Sequence, residues 1–253
     1  MQTSVFSALR RMTLCAGVVL TALALTLSSA PTHAQGAPQY QWLSVYILHV
    51  KSDRVGEFES LAKEMTAASK KAGEPPTQIW SVEAGRGGVY HVLQPMVTLG
   101  ELDNAKPPMP PAEMALWIQR VNNTIDSSKH FFARVVTQIP VQNAPPATLT
   151  TLRTVTVAAG RQDDFVAWIK KDLTPAFNKA NLGATVSQGA LGDSLRNFYF
   201  ASGVANWAQF DKPNQLDAAL GPKATEALFD KIEGIVVDNE ITVLRPRPDL
   251  VAQ

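Results

Sequence analysis

Along the chain, hydrophobic positions alternate with period two, recur at helical spacing and then alternate again, and this succession of periods runs twice. From Leu43 onward, Tyr46, Leu48 and Val50 fall on one side of an extended segment and Val45, Ile47 and His49 on the other, which predicts a strand. Val55, Phe58, Leu61, Ala62, Met65 and Ala72 then recur as on one face of a helix. Two further strands are predicted over about 77–84 and 89–95, joined by Gly85-Arg86-Gly87-Gly88, a good hairpin turn. A second helix enters after Pro107–Pro111, where proline is tolerated because the first helical N–H groups lack partners, and is expected to bury Met114, Trp117, Ile118, Val121 and Ile125. A last strand is expected over about 130–141.

The second pass predicts a strand at 150–158, a helix from Gln162, strands near 183–190 and 195–203, a helix at about 222–234 and a strand at 235–245. Pro175 is expected to kink or end the first of these helices, because an interior proline costs about 3 kcal/mol. The two passes correspond in three blocks taken in the same order. LSVYILHVKSDRVGEFESLAKEM from Leu43 matches TTLRTVTVAAGRQDDFVAWIKKDL from Thr150. Each strand ends in a valine, Val50 or Val157, and Phe58 or Phe165 follows eight residues later. VYHVLQPMVTLGELD, ending at Asp103, matches NFYFASGVANWAQFD, ending at Asp211, without a gap at an offset of 108. FFARVVTQIPV from Phe131 matches VVDNEITVLRP from Val236. The chain therefore reads as an internal repeat: one copy over 35–142, a linker over 143–149 containing Asn143-Ala144-Pro145-Pro146, a second copy over 150–246, and a tail over 247–253 expected to be extended and loose.

Strand, helix, hairpin, helix, strand is the split βαβ, ferredoxin-like order. Helices cover one face of each sheet, and two copies on one chain can shield each other's bare faces. The expected fold class is α+β, with two tandem ferredoxin-like βαββαβ repeats packed sheet to sheet. On the strand ends VKSDRVGEFESL and VAAGRQDDFVAW and the aromatic third strands VYHVL and NFYFA, the chain resembles the dimeric α/β-barrel superfamily, duplicated in tandem. The likeness is to its antibiotic-biosynthesis monooxygenase-like and NIPSNAP-like members. It spans nearly all of 42–246, is one of pattern, and implies an intramolecular dimeric α/β barrel. That superfamily includes cofactor-free monooxygenases and haem-binding chlorite dismutase-like and dye-decolourising peroxidase-like proteins. Its haem enzymes use an axial histidine, usually on a helix, whereas His49, His91 and His130 fall on or beside strands; no cofactor is expected, and no catalytic residue of the superfamily is carried over.

The first 34 residues change the picture of where the chain works. Arg10 and Arg11 precede an uncharged run from Leu14 to Leu27, which ends in Ser28-Ser29-Ala30-Pro31 and Thr32-His33-Ala34. Basic, apolar and small residues in that order predict a secretory signal peptide over 1–34, cleaved after Ala34, with a periplasmic or secreted product. The competing reading is a membrane anchor, but fourteen apolar residues span only about 21 Å as a helix, short of a hydrocarbon core of about 30 Å. Cleavage removes Cys15, the only cysteine, so no disulfide, thiolate ligand or cysteine nucleophile is expected. Without Arg10 and Arg11, the 23 basic residues fall to 21 against 22 acidic ones, a net charge of −1. With no basic run, nucleic acid and anionic membrane are not expected partners; a small-molecule ligand is, in a monomer or homodimer.

Chemistry is sparse. If Val50 and Val157 face the helices, His49, Thr154 and Thr156 face the other way, and the same logic turns Arg134 and Glu240 inward. His91 and Tyr199 occupy matching positions on the third strands, where Tyr90 and Val92 are the alternative set to face inward. The candidate ligand pocket is thus His49, His91, Arg134, Thr154, Thr156, Tyr199 and Glu240, since a buried polar group without a partner costs about 1–3 kcal/mol. The alternative is that Arg134 and Glu240 merely pair and the histidines are satisfied. A three-histidine metal site lacks any close-spaced motif, so no metal is expected. Trp80, Trp117, Trp168 and Trp207 sit at core-like spacings. Leu102-Asp103 and Phe210-Asp211 predict short turns with the apolar residue packed and the aspartate capping. Two functions stay open: a non-catalytic exported module binding a small ligand or a protein, and a cofactor-free monooxygenase-like oxidoreductase.

Overall fold

A computed structural model describes residues 40–141 and 146–252. The predicted signal peptide with its cleavage site, and Asn143-Ala144-Pro145 of the linker, lie outside the described residues. In chain order the elements are β1 (Trp42–Val50), α1 (Val55–Ala72), β2 (Gln78–Ala84), β3 (Val89–Met96), α2 (Pro111–Thr124) and β4 (Ile125–Ile139). The second copy gives β5 (Leu149–Val157), α3 (Gln162–Trp168), a π-turn (Ile169–Leu173), α4 (Thr174–Lys179), β6 (Ala184–Gly189), β7 (Asn197–Val204), α5 (Gln215–Leu220), α6 (Pro222–Asp230) and β8 (Val236–Pro246). The strands follow one hydrogen-bonded order that closes on itself, β1-β3-β2-β8-β5-β7-β6-β4. Each copy contributes its four strands in the ferredoxin-like order, last-first-third-second.

By contacts the chain divides into two units. The first holds the described residues up to Val135, with Gln188–Leu195 and those from Thr242 on; the second holds those of Val136–Ser187 and Arg196–Ile241. In the first unit, Val50, Phe58, Ala62, Ile79, Tyr90 and Leu250 form the core between sheet and helix, with Leu48 and Val92 packed against it. Phe58 on α1 meets Tyr90 on β3 with ring centroids 4.8 Å apart. The apolar spacing of α1 is therefore the cause of its seating. Its end is set by Gly73, whose φ of 76° is the left-handed conformation that glycine adopts at no steric cost. Trp117 on α2 ties the two helices together by donating from Nε1 to the Leu61 carbonyl at 3.0 Å.

The second unit has the larger core, in which Val155, Val157, Phe165, Trp168, Phe177, Phe198, Phe200 and Leu228 are all buried. Phe165 stands edge-on to Phe198 at 4.8 Å. Trp168 Nε1 donates to the Leu228 carbonyl at 3.0 Å and again joins two helices.

Several expectations need correction. Of the two outcomes expected at Pro175, a kink or an end, the helical path does not end there: regular α-helix stops at Trp168 and resumes at Thr174, with Pro175 in its first turn. The preceding turn widens into a π-turn, where Thr174 donates from its backbone N–H and, at 2.8 Å, from Oγ1 to the Ile169 carbonyl. β4 begins at Ile125 instead of near His130, and Ile118 on α2 is 46 % exposed where burial was expected. The extra helix α5 was not foreseen. Trp207 and Leu102 are exposed at 46 % and 45 %. The turn at Leu99–Asn104 is capped by Thr98 and Glu101, not by Asp103, and the one at Trp207–Asp211 has Gln209 Oε1 accepting from the Ala205 N–H. Nor is the tail loose. Leu250 is fully buried, its carbonyl accepts from Thr66 Oγ1 at 2.9 Å, and Arg247 pairs with both Glu59 and Asp249.

Candidate functional site

The site is built on the face of the first unit's sheet that carries no helix. Leu48 and Val50 of β1 and Tyr90 and Val92 of β3 pack into the helix-backed core, so alternation turns Ile47, His49 and His91 the other way. Antiparallel register sets His91 opposite Ile47 on one side and Trp80 of β2 on the other, one cross-strand row. His49 lies one row along, opposite Val89. Val45 and Leu93 oppose each other two residues from Ile47 and His91 and supply an apolar neighbour row.

Burial governs the electrostatics. His91 is 8 % exposed, and desolvation, followed by the neighbouring His49 imidazole, depresses its pKa from 6.5 to about 4. It is uncharged at neutral pH. His49 Nδ1 and Trp80 Nε1 are buried without a hydrogen-bond partner among the described residues. Each such group costs about 1–3 kcal/mol of lost solvation. At the end of the His91 row, Lys129 of β4 opposes Ile47. Its Nζ donates to Asp193 Oδ1 at 2.6 Å and lies 4.8 Å from the Phe131 ring centroid, so this cation is already engaged.

The other candidates are distributed differently. Thr154 opposes Tyr199 between β5 and β7 in the second unit, matching the Ile47–His91 pair of the first. Thr156 donates from Oγ1 to Asn197 Oδ1 at 3.2 Å. The second copy thus keeps the helix-free polar face, with Thr156 and Tyr199 where the first copy has His49 and His91. Glu240, on β8 of the same unit, is exposed, so the burial that argued for it is absent.

Arg134 does not turn inward. It opposes Trp42, whose parity on β1 is that of Leu48 and Val50, and it is exposed. β4 carries a bulge near its start: His49 pairs with Ser127 and Val50 with Ile125, so Asp126 is skipped, and over 127–134 the even positions share the parity of Leu48 and Val50.

His130 belongs to the opposite face from His49 and His91. Its ring stacks on Tyr46 at 3.9 Å and 7°, and its Nε2 is 3.0 Å from Ser44 Oγ. The three histidines do not converge, and among the described residues no group of three or more His, Cys, Asp or Glu is placed to hold a metal ion. Trp80 is the member that sequence reasoning missed, having been read as core. The signal was available: across a four-residue turn at 85–88, even positions of β2 pair with odd positions of β3, which puts Trp80 and His91 on one face.

Fold and strand order together define a tandem-duplicated dimeric α/β barrel. Comparison with solved structures finds the same fold over most of the chain. A candidate monooxygenase from Lactobacillus acidophilus NCFM superposes with a TM-score of 0.58 and 14 % identity, covering 82 % of this chain and 94 % of that one. A candidate monooxygenase from Fusobacterium nucleatum subsp. nucleatum gives 0.59 and 13 %, with 82 % and 92 % covered. An anthrone oxidase-like protein gives 0.57 and 11 %, with 82 % and 91 % covered. At such identities the likeness is one of fold. No protein-family model matches the sequence, and no curated protein does.

Proposed function

We propose that this chain is an exported, non-catalytic module that binds a small, mainly apolar molecule on the helix-free face of its first unit. The observation that carries the reading is the pair of buried, unpartnered nitrogens, His49 Nδ1 and Trp80 Nε1, flanking the buried His91. An indole N–H only donates, so the ligand presents an acceptor oxygen to Trp80, and its body lies against Ile47, Val45 and Leu93. The depressed pKa of His91 favours binding over proton transfer. A base with a pKa of about 4 is free at neutral pH but weak, and general-base catalysis works best when the pKa lies near the operating pH.

The test is titration of the purified protein with 1-naphthol and 2-acetylnaphthalene, followed by tryptophan fluorescence and the His49 and His91 imidazole resonances. Saturable binding is expected, weakened about tenfold in Trp80→Phe, the equivalent of one hydrogen bond of about 1.4 kcal/mol. Unmoved resonances with both compounds, together with a native mass equal to the bare chain, would sink the proposal. A second reading, a cofactor-free monooxygenase-like oxidoreductase using the same face, is favoured by the fold shared with the two candidate monooxygenases and the anthrone oxidase-like protein. Consumption of dioxygen by protein and bound naphthol, lost in His49→Phe, would select it.

A further inference from the structure

We propose that Arg153 anchors a second site, on the helix-bearing face of the second unit, that takes a small carboxylate with an apolar body. Arg153 lies on β5 opposite Phe200, one row from the buried pair Val155 and Phe198. Its guanidinium donates from Nη1 to the side-chain oxygen of Asn239 at 2.9 Å, a neutral acceptor, and no carboxylate among the described residues pairs with it. The contrast within the chain is sharp. Arg54, Arg120, Arg161, Arg245 and Arg247 each hold a carboxylate, and none of them needs one as much. Arg153 is the arginine whose pKa burial pulls down, so it bears the desolvation cost without the compensating anion.

A second unmet group lies on the same face. Ser202 opposes Thr151, one row along from the Phe200–Arg153 pair, and is 1 % exposed. Its backbone carbonyl accepts from Thr151 Oγ1 at 3.3 Å, but its own Oγ has no partner among the described residues. Diagonal neighbours in a sheet stand about 7–8 Å apart, a span that a carboxylate-bearing molecule covers. The planar guanidinium fork matches a carboxylate with two parallel N–H bonds. Phe200 adds an apolar wall, which favours an organic acid over strongly hydrated phosphate. The first copy has no counterpart: Tyr46, opposite Val92 and stacked on His130, holds the matching position, so this site arose in one half only.

The experiment measures thermal unfolding of the whole exported chain against benzoate and, separately, inorganic phosphate. The wild type is expected to gain stability saturably with benzoate at millimolar concentrations and to ignore phosphate. Arg153→Met is expected to start above the wild type without ligand, since an unpaired desolvated charge is gone, and to show no benzoate response. Ser202→Ala keeps Arg153 and is expected to weaken the response about tenfold, which holds the test open if Arg153→Met folds poorly. A wild type indifferent to benzoate, a parallel rise in Arg153→Met, or a response to phosphate alone would each overturn the proposal.

Discussion

An imidazole set in the middle of β3, between Ile47 and Trp80, loses its water on folding and therefore holds a proton less tightly than in the unfolded chain. The sign of the consequence follows from linkage. His91 titrates near 6.5 when unfolded and at about 4 when folded, so between these values the unfolded chain takes up a proton that the folded chain refuses. The contribution is complete above pH 6.5, falls as the pH drops through the window and is gone below about 4. Its size is about 3 kcal/mol. Urea unfolding at intervals from pH 7 to 4 is expected to show this slope, and His91→Phe is expected to flatten it. An unchanged slope in the variant would assign the pH dependence to other groups. The facing of His49 was legible because alternation is strict over β1, whereas β3 offered Tyr90 and Val92 as readily as His91. Only the seating of Tyr90 and Val92 against the helix-backed core turns His91 to the other face. Arg134 was misread because the expected strand opened at about His130 with no partner register to fix its facing; its pairing with Trp42 puts it on the side of Leu48 and Val50.

At the scale of elements, periodicity found the strands and both long helices, and it failed where a segment is held by partners distant in sequence. The tail is the clearest instance. RPRPDL, with prolines at 246 and 248, gives no helical or alternating signal, so it reads as loose. Its anchors are Thr66 and Glu59 on α1 and Ile79 on β2, whose carbonyl accepts from the Arg247 N–H at 2.8 Å. Arg247 also holds Glu59 below the usual carboxylate range, while burial, then Glu59, pushes the Tyr90 hydroxyl up to about 12. The turn Pro248–Leu250 thus inserts Leu250 into the core of α1, β2 and β3 as though it were a further element. Leu250→Ala is expected to cost about 2–5 kcal/mol, in the range of other fully buried leucines, and to release the tail to protease before the body of the protein unfolds. Equilibrium denaturation and timed proteolysis check this. A loss below 0.5 kcal/mol, the scale of a surface substitution, would show the tail to be an ornament.

For the whole molecule the decisive fact is that the last strand of each copy is shared. β4 begins in the first unit and ends in the second; β8 begins in the second and ends in the first, where Leu244 and Arg245 oppose Val82 and Ser81 of β2. Neither unit contains a complete βαββαβ copy, so neither has the covalent autonomy that tandem domains joined by a linker possess. A strand cannot lose its pairing at one end and keep a well-formed ladder at the other without fraying through the residues between. Damage in one unit should therefore reach the other through 135–136 and 241–242. Phe165→Ala removes a ring 1 % exposed from the second core, and Leu61→Ala removes a fully buried side chain from helix α1 of the first unit. Each is expected to cost about 2–5 kcal/mol. Both are expected to lower one common calorimetric transition, with amide exchange accelerated in β1 and β5 alike. Two separated transitions in either variant, with protection retained in the untouched unit, would mean that the duplicated halves fold as independent domains despite the strands they share.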